Sequence, residues 1–138
     1  MNPYKALHEK LLAYPMKRLT TGWCYSAPLK CHCAMGAIAS VDGFEVSALH
    51  SIISFNEFAT TELEAWAAKV EMDYADVRMV QCINDSYCSN EDPPTRYLHM
   101  VSILGFLGGL DSIGLSIARE KFRGSSTGLF TWLKEKEL

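Results

Sequence analysis

Glycine and proline are sparse in this chain, 9 and 5 of 138 residues, and its net charge is only -3. Intrinsic disorder requires fewer apolar residues and more net charge than this, so a folded chain is expected. No apolar stretch follows a basic start: Met-Asn-Pro-Tyr-Lys-Ala-Leu-His-Glu-Lys mixes charge with apolar residues from the outset, unlike a signal peptide. The most apolar run, Met100–Leu110, has 11 residues and is closed by Asp111. A bilayer span needs ~20. These absences predict no membrane partner, no export and a cytoplasmic location. Five cysteines form an odd set without a Cys-x2-Cys pair, so no disulfide framework or metal site is expected and the thiols read as reduced. No basic cluster suits nucleic acid. Gly105-x-x-Gly108-Gly109 is not a phosphate loop, since no Lys-Ser/Thr follows and no strand precedes; close helix packing or chain reversal is its expected role.

What is present suffices for one core. Hydrophobic residues make up 49% of the chain and aromatics 11%, and a domain this long buries ~70% of its unfolded surface. One domain over residues 1–138 is expected. Tyr4, Leu7, Leu11 and Leu12 recur at helical spacing between Pro3 and Pro15. Residues 32–41 are mostly small, predicting a slim central helix in which Gly36 lets another backbone approach. Val46–Phe58 reads as a further helix. Thr61-Glu62-Leu63-Glu64 is a capping box opening another. Val77–Ile83 suits a strand or a short helix, and 84–92 a polar loop. Asp92-Pro93-Pro94 opens a helix carrying Tyr97, Leu98, Val101, Leu104 and Phe106. Asp111 caps another, with Ile113, Leu115, Ile117 and Phe122 as its apolar residues and Gly124 as its end. Ser125–Gly128 reads as a linker, leaving 124–138 as a loosely attached C-terminal helix. The expected fold is mainly α, a compact orthogonal bundle of about five to seven helices with at most one short β element.

Charge is distributed unevenly. Residues 1–30 carry +4 and 93–138 carry +2, whereas 57–92 hold nine carboxylates against Lys69 and Arg78, a net -7. Such a face is solvated or attracts a basic partner.

One pattern goes beyond composition. Trp23 is followed by Cys33-Ala34-Met35-Gly36-Ala37-Ile38, then by Asn84-Asp85 and Thr95-Arg96. It resembles a family of small bacterial and phage domains of unknown function that share a Trp, a Cys-Ala-Leu-Gly-Ala-Leu-like helix, an Asn-Asp pair and an Arg-containing start to the last helix. The resemblance covers roughly residues 20–107. Met35 and Ile38 stand where leucines are usual, and the loop from Asn-Asp to Arg is longer. It implies a helical fold with Trp23, Cys33, Gly36, Asn84, Asp85 and Arg96 as its shared residues, and no settled chemistry.

Cys33 at a helix start, with Asp85 and a base such as His50 or His99, is a candidate nucleophile for a hydrolase or transferase. The competing reading packs Cys33 as a small hydrophobe under Trp23. Asn84 and Asp85 are by default a structural turn, with an Asp85–Arg96 pair as the functional alternative. The leading expectation is a non-enzymatic protein-binding regulator or inhibitor without cofactor, phage-encoded and directed at a host or defence protein. Its partner would present a basic surface to Glu62, Glu64, Asp73, Asp76, Glu91 and Asp92.

Overall fold

Asn2 starts the fold by capping two helices at once. The computed structural model describes residues 2–21, 25–43, 68–69 and 71–138. Helix α1 spans Pro3–Ala13; the Asn2 side chain accepts from the Tyr4 amide at 2.9 Å, and Pro3 sits where no helical amide bond is needed. The Asn2 amide donates to the carbonyls of Leu107 and Leu110 at 2.7 and 3.1 Å, which close a later helix. Pro3, Tyr4, Leu7 and Leu11 form the buried stripe of α1, as the 3–4 spacing predicts.

A two-stranded antiparallel hairpin follows, β1 (Tyr25–Ser26) and β2 (Cys31–His32), with Ser26 opposite Cys31. Helix α2 (Ala34–Val41) comes directly after, and its residues 34–39 are all buried. This is the slim central helix that its small residues predict, packed against α1 and α3.

Helix α3 (Tyr74–Cys82) settles the ambiguous 77–83 stretch as helix. Asp73 and Asp76 form a reciprocal capping box at its start. The expected polar loop does not begin at Asn84, because Ile83–Tyr87 continue as a π-helix. The Cys88 amide reaches the Ile83 carbonyl at 3.0 Å, one residue further than in an α-helix.

Asp92 caps α4 (Pro93–Gly108) by accepting from Thr95 N at 2.8 Å. Met100, Ile103, Leu104 and Leu107 are fully buried, each stabilising the fold by about 1.5–3 kcal/mol relative to exposure. Gly108 explains how closely α1 and α4 cross. A Cβ there would lie 2.8 Å from Lys5 Cα and N, while one on Gly105 would meet the His8 ring at 3.1 Å.

Helix α5 (Ser112–Gly124) is capped by Asp111 and ends at the expected glycine. Its inner face differs from expectation. Leu115 and Ala118 are buried and Phe122 is partly buried, but Ile113 is 72% and Ile117 44% exposed. Residues two apart point to different sides of a helix, so 113, 115 and 117 cannot share one face. The supposed linker is a cap: Ser125 accepts from Gly128 N at 3.0 Å and opens α6 (Ser126–Glu135). Leu129 and Leu133 are fully buried, and Trp132 meets Phe106 with ring centres 5.6 Å apart. This docks the tail more firmly than a linker implies.

The described fold is therefore mainly helical with one short hairpin. No described helix is long and apolar enough to cross a membrane. The helix expected at 46–58, the capping box at 61–64 and most of its helix lie outside the described residues.

Candidate functional site

The structure does bring Cys33, Asn84 and Asp85 together, through a residue the sequence did not single out. Gln81 lies between them. Its Oε1 faces Cys33 Sγ at 3.6 Å and its Nε2 donates to Asp85 Oδ2 at 2.6 Å. Asn84 donates to Asp85 Oδ1 at 2.8 Å and to the Thr20 carbonyl at 2.9 Å. The π segment turns Asn84 inward, where it is fully buried, with its Oδ1 left without a hydrogen-bond partner. Cys33 has no exposure and is the N-cap of α2, its sulfur accepting from Gly36 N at 3.3 Å. A thiol in that position is sealed from a substrate in solution. Trp23 and His50 lie outside the described residues. His99 is engaged elsewhere.

Arg96 does not pair with Asp85. Its buried guanidinium collects backbone carbonyls instead: Nε donates to Cys88 O at 3.1 Å, Nη1 to Leu19 O at 2.7 Å, and Nη2 to Ser89 O and Glu91 O. The planar fork joins the 88–91 turn to the segment before the hairpin, a role a point-charge ammonium cannot fill. The two polar positions of the Asn-Asp and Thr-Arg motifs thus anchor neighbouring stretches: Asn84 holds Thr20 and Arg96 holds Leu19.

The expected acidic face is divided. Glu62 and Glu64 lie outside the described residues. Asp73 and Asp92 are exposed but both act as helix caps. Hydrogen bonds from Thr95 hold the Asp92 carboxyl below the usual carboxylate range. Asp76 points inward instead: it is 2% exposed and accepts from Tyr4 Oη at 2.8 Å and from Arg119 at 3.0 Å on each oxygen. A carboxylate so enclosed cannot meet a partner. Periodicity alone does not reveal this, because its cation, Arg119, is 43 positions away.

Glu91 belongs to a second cluster, which the cysteine spacing did not disclose. Its Oε1 is hydrogen-bonded to His99 Nδ1, and Cys88 Sγ lies 3.6 Å from that same nitrogen. One ligand atom from each of Cys88, Glu91 and His99 falls within 4.8 Å of the others. A thiol–imidazole–carboxylate relay uses opposite ring nitrogens for its two partners; here both converge on Nδ1. Burial, reinforced by the Glu91 charge, pushes the Cys88 thiol up to about 12, so it is protonated at neutral pH. The Tyr87 ring lies 5.5 Å from the imidazole and flanks it.

No protein-family model, curated protein or solved structure matches this chain.

Proposed function

We propose that the chain is a small non-enzymatic protein-binding regulator or inhibitor that docks through the outer face of α5. The observation that carries this reading is the pair Ile113 and Ile117, one helical turn apart and 72% and 44% exposed. Helix α5 already buries Leu115 and Ala118 inward, so its outer isoleucines are surplus to the core. An apolar face with no internal use is a feature of helices that complete themselves on a partner. Ser112, Ser116, Glu120 and Lys121 surround the pair with a polar rim, the arrangement usual at interfaces. The Arg119–Asp76 ion pair fastens α5 to α3, which favours a rigid docking platform. The acidic 57–92 segment, less the buried Asp76, would steer a basic partner toward the chain. The resemblance to bacterial and phage domains suits a host-directed inhibitor.

The test compares wild type with an Ile113→Asp/Ile117→Asp variant, its helix content checked by circular dichroism. A partner captured from host extract by the wild type should be lost with the variant, and its on-rate should fall as salt is raised. Equal capture by both proteins would overturn the proposed face.

A further inference from the structure

The geometry points to a site for a divalent transition-metal ion of the zinc class, held by Cys88 Sγ, Glu91 Oε1 and His99 Nδ1. The donor set is appropriate, because thiolate, imidazole and carboxylate are the ligands zinc takes, at about 2.0–2.3 Å. At a tetrahedral angle, those bond lengths place neighbouring sulfur and nitrogen ligands about 3.5 Å apart. The observed Sγ–Nδ1 separation is 3.6 Å. Glu91 and His99 are hydrogen-bonded to each other here, closer than two ligands of one ion would be. A metal at that point replaces the hydrogen bond and opens the contact to the ligand spacing, and the Nδ1 proton moves to Nε2. The Cys88 thiol gives its proton to solvent on binding.

Three further features point the same way. Glu91 Oε2 is a buried carboxylate oxygen with no hydrogen-bond partner, an acceptor left with capacity for a cation. Arg96 fixes the Cys88 and Glu91 carbonyls, so the turn bearing two ligands is held before any ion arrives. His99 and Glu91 side chains are 25% and 23% exposed, whereas Cys88 is fully buried. An ion can therefore enter from the solvent side, and three protein ligands leave a fourth position open on that side. A search for Cys-x2-Cys misses the site because a glutamate stands third after Cys88, and His99 is the seventh residue of α4.

The experiment titrates the intact chain with Zn2+ and with Co2+ as a spectroscopic stand-in. One equivalent of Zn2+ should survive desalting and raise the melting temperature. Co2+ should give the visible bands of a four-coordinate ion and a thiolate-to-cobalt charge-transfer band. Cys88→Ser should abolish the charge-transfer band, and Glu91→Gln and His99→Asn should each weaken Zn2+ binding at least tenfold. The latter two replace partly exposed side chains, so they keep the test valid should Cys88→Ser fail to fold. Absence of stoichiometric uptake, or uptake by Glu91→Gln and His99→Asn equal to wild type, would overturn the assignment.

Discussion

Arg119 grips Asp76 with two parallel hydrogen bonds, Nε to Oδ1 and Nη2 to Oδ2, each 3.0 Å. The carboxylate is buried and the guanidinium one-third exposed, so the pair holds a desolvated anion at the seam of α1, α3 and α5. Arg119→Ala leaves Asp76 with the Tyr4 hydroxyl and the Asp73 amide. Water can enter the vacated space, which moderates the penalty to about 1.5–3 kcal/mol. Urea denaturation should report that loss, and Arg119→Lys should recover only part of it, because an ammonium cannot span both oxygens.

Gly108→Ala should destabilise by about 1–3 kcal/mol, since its methyl would stand 2.8 Å from the Lys5 backbone, which cannot rotate aside as a side chain could. Gly109→Ala is the control. Its Cβ meets nothing nearer than 3.5 Å and should change the melting temperature far less.

Arg96→Lys should cost about 3 kcal/mol. It keeps the charge but leaves several of the carbonyls of Leu19, Cys88, Ser89 and Glu91 without a donor. A midpoint in chemical denaturation within error of wild type would show that water replaces the guanidinium there.

Tyr14 and His32 set a pH dependence. The His32 amide donates to Tyr14 Oη at 3.0 Å, and Tyr14 Oη lies 2.8 Å from His32 Nδ1, a geometry in which the hydroxyl donates to a neutral ring. Burial holds this imidazole below its ordinary value. Above about pH 6.5 both folded and unfolded chains carry it neutral. As pH falls below that, the unfolded chain takes up a proton that the folded chain refuses, and stability declines until the folded value is passed. Melting temperature should therefore fall as pH drops below about 6.5, and His32→Gln should flatten that slope.

The helices were legible where a local signal marks them. Asp92 and Asp111 before apolar runs, Gly124 after one, and the small residues around Gly36 each act within a turn or two of chain. The features that escaped depend on distant partners. Asp76 reads as one more acidic residue until Arg119 closes on it. Gln81 has nothing in its surroundings to mark it as the link between Cys33 and Asp85. Ile113 and Leu115 look equivalent as hydrophobes, yet only Leu115 faces the core. Among the candidate site residues, the Asn84–Asp85 and Cys33 motifs were visible as words. Their separation from His99, which belongs with Cys88 and Glu91, was not.

The π turn at Ile83–Tyr87 also makes chain length itself a structural variable. It accommodates one residue more than an α-helix would over the same span. Deleting a single residue there would tighten the turn to α geometry, keeping α3 and Cys88 in place but turning side chains within the segment by up to about 100°. Asn84 would then leave Thr20, and the Gln81–Asp85 contact would lose its aim. A one-residue deletion in this segment would thus disturb the fold's polar centre without touching any hydrophobic side chain.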